Sequence, residues 1–372
     1  MPAGFSSVSW QQAAMYAIGL ILIYLAIGRK YEPMLLLPIG FGAILANLPM
    51  SAVLSYGGER GFLAILYEAG IRTELFPLLI FVAVGAMIDF GPLFKNPLMI
   101  FFGAAAQMGI FATMILATLL GFDLKEAASI GIIGAADGPT SIYVAALFAP
   151  RYLAAISVAA YSYMSLVPII QPPVIRLLTT RRERTIHMDY RESDVPSWLK
   201  IVFPIAVTMI AGFVAPISVP LIGSLMFGNL IRESGVLERL SLAAQNELAN
   251  LVTLLLGITI GASMTAERFL DVKTLMILGM GLAAFVLDTA GGVLFAKLVN
   301  LFLPEGRKVN PMIGACGISA FPMSARVIQK MANDEERGNI ILMHATGANV
   351  SGQLGSIVAG GMVLALVPLL VG

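Results

Sequence analysis

One carboxylate stands where a membrane protein can use it. In 131-GIIGAADGPTSIYVAAL-147, Asp137 has apolar sequence on both sides. Gly138-Pro139 follows at once, and proline breaks a helix because it lacks a donor and clashes with the preceding turn. Thr140 and Ser141 are placed to cap the helix that resumes. Broken backbone at membrane depth is tolerated only when it is buried in protein or lines a cavity. The outcome is a carboxylate beside freed carbonyls, a set of hard oxygens suited to a small cation. The blander reading is a buried aspartate that caps a kink. The expense of an intramembrane carboxylate argues for function.

A second interrupted segment is 309-VNPMIGACGISAFPMSARVIQK-330, broken by Asn310, Gly314, Gly317, Ser319, Pro322 and Ser324. Arg326 lies near its end. Its guanidinium either snorkels to an interface or binds a carboxylate, from Asp137 or from a substrate. In 161-YSYMSLVPIIQPP-173, Tyr163 offers a phenol that could ligate a cation or move a proton, although buried tyrosines more often satisfy a backbone carbonyl. The final segment, 342-LMHATGANVSGQLGSIVAGG-361, is rich in small residues, which usually means close helix packing. Asn349 and Ser356 are seven apart and share a helix face two turns apart. They add neutral oxygen ligands. Asp89 precedes Phe90-Gly91-Pro92 and reads as a helix-end cap. Asp288, in FVLDTAGG, has no obvious partner and stays open.

The elements that must position these residues are membrane helices. Of 372 residues, 58% are hydrophobic and 12% charged, and the net charge is +1. Mean hydropathy is +0.88. The 23 basic and 22 acidic residues are too few to cover a soluble protein of this size, so apolar side chains face lipid. The balance excludes a soluble enzyme and gives no electrostatic footprint for nucleic acid. Cys316 is the one cysteine, which excludes a disulfide framework, and His187 and His344 make no metal pair, so no transition-metal site is expected. The twenty methionines are spread widely and read as packing. No phosphate-binding loop or dinucleotide fingerprint is present.

The first ten residues lack the basic region of a signal peptide, so the first apolar segment, 12–28, reads as a retained helix. Further segments fall at 33–50, 75–93, 98–121, 126–148, 151–173, 199–229, 247–266, 273–303, 309–330 and 338–370. An all-α membrane protein of about eleven spans is expected. Pro204, Pro216 and Pro220 could split 199–229 in two. The polar stretch 176–200 holds ten charges, six of them basic, which places it in the cytoplasm. Six spans before it then put the N-terminus inside, although Arg29-Lys30 argues the other way. Glu74-Leu75, Leu98-Met99-Ile100 and Ile133-Gly134-Ala135 recur as Glu247-Leu248, Leu275-Met276-Ile277 and Ile313-Gly314-Ala315, 173, 177 and 180 residues on. This suggests two inverted repeats of about five helices, each with a broken helix. The expected division is an N-terminal helix (1–30), a first repeat (31–173), a loop (174–200) and a second repeat (201–372).

With GAADGPTSIY, AAYSYMSLVPIIQPP, NPMIGACGISAFPMSARV and HATGANVSGQLGS in order, the chain resembles the membrane-integral beta subunit of the sodium-pumping biotin-dependent decarboxylases. These serve oxaloacetate, methylmalonyl-CoA, glutaconyl-CoA and malonate. The resemblance runs from YEPMLLLPIGFGAILANLP at 31–49 onward. It implies a bacterial inner-membrane subunit that decarboxylates carboxybiotin, consumes a proton and exports sodium. Carboxybiotin would ride on a biotin carrier subunit, loaded by a carboxyltransferase alpha subunit. A small membrane subunit and a homo-oligomer are implied partners. Family positions fall on Asp137, Tyr163, Ser319 and Arg326 as catalytic residues. Asp137, Asn310, Gly314, Asn349 and Ser356 would bind sodium, and Arg326 would hold carboxybiotin. Oxaloacetate members carry a large insertion after the second apolar segment that is missing here, which favours an acyl-CoA complex. The alternative is a sodium-coupled carrier of an organic anion that performs no chemistry. A passive membrane anchor fits poorly, because it has no need of Asp137 and Arg326.

Overall fold

The chain is described from a computed structural model, which covers residues 8–49, 53–56, 59–188 and 194–371. Residues 1–7, most of the segment read for a signal peptide, and 189–193 of the polar stretch lie outside the described residues. The fold is helical, apart from a two-stranded ladder of Ser55–Tyr56 with Glu59–Arg60.

The first half contains α1 (Trp10–Gly28), α2 (Pro33–Asn47), α3 (Leu75–Met87), α4 (Met99–Leu119, interrupted at Gln107), α5 (Leu124–Gly131), α6 (Gly138–Phe148), α7 (Leu153–Ser165) and α8 (Val167–Leu178). The second half contains α9 (Ser197–Val214), α10 (Val219–Glu233), α11 (Glu238–Ser263), α12 (Val272–Phe302), α13 (Met323–Glu335) and α14 (Leu342–Val371). Local chemistry sets several starts. Ser9 with Gln12, and Asp123 with Glu126, form reciprocal capping boxes at α1 and α5.

Six described helices, α1, α4, α9, α11, α12 and α14, are long and apolar enough to span a membrane. Two bent pairs raise this to eight: Phe62–Arg72 with α3 at 58°, and Pro150–Ser165 with α8 at 69°. The expected eleven segments therefore resolve into fewer full-length helices. Several apolar stretches are short or broken, such as α2 with 15 residues and α6 with 11. The stretch 199–229 does split. Pro204 stays inside α9, and the break falls at the 3-10 turn Pro216–Ser218, with Pro220 in the first turn of α10.

α12 and α14 form the centre, with half or more of their most apolar stretches buried, whereas little of α9 is buried. Trp198, Val202, Ile205, Met209, Ile210 and Phe213 of α9 are exposed. Such a stripe requires lipid or an apolar partner. α2 packs against α11, and α3 against α10. Both contacts are close because glycines face carbonyls reciprocally: Gly42 meets Ile258 O and Gly261 meets Ile39 O, while Gly85 meets Leu225 O and Gly228 meets Val82 O. The link 179–188 is tied down. Arg184 Nε bonds Glu335 Oε1 of α13 at 2.8 Å, and Lys297 of α12 lies 3.2 Å from Glu183. Burial opposes ionisation of Glu183. The amide and hydroxyl of Thr180 and the Lys297 ammonium outweigh it and hold the carboxyl below its ordinary value.

Candidate functional site at two interrupted helices

The first break has a defined shape. α5 tightens into a 3-10 turn, Ile132–Ala135, and Ala136 then takes a left-handed conformation with φ 52°. Asp137 is the N-cap of α6 and is 2% exposed. Its Oδ1 accepts from Thr140 N at 3.3 Å. Its Oδ2 accepts from Thr140 Oγ1 at 2.7 Å, from Ser356 Oγ at 2.7 Å and from Gln353 Nε2 at 3.3 Å. Ser141 donates to the Asp137 carbonyl at 2.8 Å. No Lys or Arg among the described residues pairs with this carboxylate. Its partners are neutral hydroxyls and an amide.

The second break comes to the same place. The 3-10 helix Pro311–Gly317 ends at an extended Ile318, and a bend and a turn through Pro322 lead to α13. Ser319 N donates to Ala135 O at 2.8 Å, so the two interruptions touch through backbone. Ser319 Oγ donates to Ser356 Oγ at 2.5 Å, with Gly352 O at 3.0 Å as the alternative acceptor of its single proton. A chain of hydroxyls thus runs Ser319, Ser356, Asp137, and both serines are buried. Asn349 donates to Cys316 O at 3.2 Å and Ile318 O at 2.7 Å, and its own Oδ1 accepts nothing. Gln107, at the interruption of α4, donates to Gly317 O at 3.1 Å and likewise leaves Oε1 without a donor. Two amides therefore grip three consecutive carbonyls, 316 to 318, and each presents a buried carbonyl oxygen. Such oxygens are costly unless something electropositive meets them.

Asp137, Ser319 and Ser356 are brought together, with Asn349 close by through Ile318. Asn310 is placed differently. It caps the second 3-10 helix by accepting from Met312 N, and it donates to Arg184 O and Ile186 O in the interhelical link. Gly314 packs its backbone on Gly292 of α12, with no room for a Cβ on either side. Tyr163 donates to Leu278 O of α12 at 2.5 Å, the backbone-satisfying role. The tyrosine ring against the first break is Tyr161, which lies over Gly138. Arg326 is exposed on the first turn of α13, makes no ion pair among the described residues and is not at Asp137. No group of three or more His, Cys, Asp or Glu that could hold a metal occurs among the described residues. A cavity of about 980 Å³ opens beside α1 and the end of α11, lined by Trp10, Asn47, Glu68 and Arg268 among others, and touches none of these residues.

Gln353, Gln107 and Tyr161 were not anticipated. Gln353 could have been found, because it lies four residues after Asn349 and three before Ser356, on the same helix face. Nothing in the sequence marks Gln107.

The family model for the Na+-transporting oxaloacetate decarboxylase beta subunit matches residues 11–367. The chain belongs to this family. It is 52% identical to the methylmalonyl-CoA decarboxylase subunit beta of Veillonella parvula over 364 residues, 98% of this chain and 95% of that one. It is 50% identical to the glutaconyl-CoA decarboxylase subunit beta of Acidaminococcus fermentans over 365 residues, 98% and 96% of the two chains. The oxaloacetate decarboxylase beta chain of Klebsiella pneumoniae is 43% identical over 411 aligned positions, covering 95% of this chain and 94% of that one. The last alignment is longer than the 372 residues here, so it spans insertions. The family assignment makes the meeting of the two broken helices a feature of a sodium-transporting decarboxylase subunit.

Proposed function

We infer that this integral membrane chain is the sodium-pump subunit of a biotin-dependent decarboxylase, and that sodium binds at Asp137. The observation that carries the site is the hydrogen-bonded chain Ser319–Ser356–Asp137, which joins both interrupted helices at one buried carboxylate. Sodium, the transported substrate, would take Asp137 Oδ2, the hydroxyl oxygens of Ser356, Ser319 and Thr140, and the carbonyl oxygens of Gln353 and Asn349. Each hydroxyl now gives its proton to a neighbour but keeps lone pairs, so rotation converts donor to ligand. Ser319 could also deliver a proton. Asn310 and Gly314 would support the site by capping and packing.

Moving one charge against 100 mV requires about 2.3 kcal/mol. Loss of carbon dioxide from carboxybiotin must therefore be tied to a change of access. The proposed mover is the unit bearing both breaks, rocking against the other helices. Two inverted repeats, 31–173 and 201–372, would supply it. Their support is an exchange: α2 packs on α11 just as α10 packs on α3, each pair with reciprocal glycines. The matching Ile133-Gly134-Ala135 and Ile313-Gly314-Ala315 both fall in 3-10 turns.

The exposed Arg326 is proposed to hold the carboxyl of carboxybiotin as the carrier subunit docks. Arg326→Lys keeps charge but loses the planar fork. It should raise the apparent KM for carboxybiotin about tenfold with little change in kcat, and an unchanged KM would defeat the assignment. Tyr163 is proposed to contribute to proton delivery while its hydroxyl holds α7 on α12 through Leu278 O. Ser356→Ala removes one ligand and the link to Ser319. It should raise the sodium concentration for half-maximal decarboxylation about tenfold, as expected for about 1.4 kcal/mol. A sodium titration of vesicles containing the complex reads this directly.

An acyl-CoA complex is proposed over an oxaloacetate one. The chain lacks the insertions of the oxaloacetate relatives and is most of the length of the acyl-CoA ones. The proposed partners are the carboxyltransferase alpha subunit, the biotin carrier, a small membrane subunit and further copies of this chain. The exposed apolar stripe on α9 would suit lipid or such a copy. The proposed location is the bacterial cytoplasmic membrane, with 176–200 inside. Copurification tests the reading. A biotinylated carrier and a carboxyltransferase should come with the chain. Transport of a labelled anion by the chain alone would favour the carrier reading instead.

A further inference from the structure

Asp288 sits midway along α12 and is fully buried. Neither carboxyl oxygen has a hydrogen-bond partner of full geometry; the backbone amides of Gly109 and Ile110 on α4 lie against the group. The group fills a slot between two backbones. A Cβ on Gly109 of α4 would collide with its Oδ1, and a Cβ on Gly134 with its Oδ2. Gly134 belongs to the 3-10 turn that runs directly into Ala136 and Asp137. The carboxyl of Asp288 is thus a wedge against the turn that positions the proposed sodium ligand.

Few groups could neutralise it. α4 and the turn 132–135 carry no titratable side chain. The other elements packed on α12 carry Lys125 and Glu126 on α5, Tyr161 and Tyr163 on α7, Arg176 on α8, and Cys316 in the second 3-10 helix, with Asp137 just beyond the first turn. None bonds to Asp288. Along α12 itself, Lys273 lies in the first turn over the Phe122 ring, and Lys297 is engaged with Glu183 and Leu178 O. An isolated ionised carboxylate in such a place is prohibitively unfavourable, so the group neutralises. Sodium would need a shell of several oxygens, and besides glycine Cα atoms and the Ala284 methyl the slot offers two backbone amides, Gly109 and Ile110, and a single carbonyl, Ala284 O. A proton needs no shell.

We propose that Asp288 is a proton-binding group of the pump, which carries a proton while the turn 132–135 is packed against α12 and releases it when that turn moves away. The step is simple: the carboxyl O–H bond breaks, the electron pair stays on the carboxylate, and the proton passes to water entering the opened slot. The reverse step reloads it. A permanently neutral acid would have no advantage over an apolar side chain here, while an ionisable one senses whether the Asp137 turn is seated. The inference rests on the reading that sodium acts at Asp137.

Infrared difference spectra of the reconstituted complex, sodium minus choline, test it. The wild type should lose a carboxylic-acid C=O band on sodium addition. Asp288→Asn should lack that change and decarboxylate at least tenfold more slowly, and Asp288→Glu should keep a shifted band. A wild type that shows no sodium-induced loss of a carboxylic acid overturns the proposal. So does an Asp288→Asn variant with an unchanged spectrum or wild-type pumping. Asp137→Asn separates the two readings: a sodium-induced band loss that persists in Asp137→Asn defeats the sodium site, whereas a band loss that vanishes in Asp137→Asn and persists in Asp288→Asn defeats this inference alone.

Discussion

Asp137→Asn should lower sodium-dependent decarboxylation by at least about a hundredfold in reconstituted vesicles. The magnitude follows from burial. Removing one partner of a buried charge pair costs about 3–5 kcal/mol, and each 1.4 kcal/mol is a factor of ten. The sodium ion would then sit in the membrane with neutral ligands only. The fold should survive, because the asparagine oxygen can still accept from Thr140 N and so keep residue 137 as the N-cap of α6. The variant should therefore assemble with its partners and fail only in sodium dependence. Near-normal activity that still requires sodium would refute the central role of this carboxylate.

The second large effect is expected at Gly314, by a different mechanism. Its Cα faces Gly292 O, and Gly292 faces Gly314 O in return, so the second 3-10 helix and α12 touch backbone to backbone. A methyl group at either position must push α12 away, and no flexible side chain is there to yield. Overpacking a tight core costs about 1–3 kcal/mol, and rigid backbone puts this site at the upper end. Gly314→Ala and Gly292→Ala should both cut the yield of folded complex several-fold and lower its melting temperature. Detergent-extract yield and a thermal melt give the answer. A neutral Gly292→Ala beside a Gly314→Ala that loses only sodium binding would show Gly314 to be a ligand and not a packing contact.

How much of this was legible in the sequence varies with the kind of signal. The break at Asp137 was plain, because Gly-Pro after a lone carboxylate ends a helix in apolar sequence, and the structure makes Asp137 the N-cap of the helix that resumes. Asn349 and Ser356 were legible as one helix face, and Ser319 as part of a break. The union of Ser319, Ser356 and Asp137 was not, since no periodicity states which of two breaks meets which helix. Asn310 shows the limit. Its residue type suits a ligand, but its hydrogen bonds go to Arg184, Ile186 and Met312, partners that only folding reveals. Tyr161 and Tyr163 share a helix and differ by two residues, about 200° around it. The order of the two rings around the break depends on the rotation of α7. The helix count also outran the sequence. Apolar length marks segments, but 3-10 turns and bends at prolines divide them.

Equilibrium sodium binding to the purified complex, measured with radioactive sodium in the absence of turnover, tests the central claim most directly. The account predicts saturable binding to the wild type, weakened about tenfold in Ser356→Ala and lost in Asp137→Asn. Wild-type binding in Asp137→Asn would contradict it.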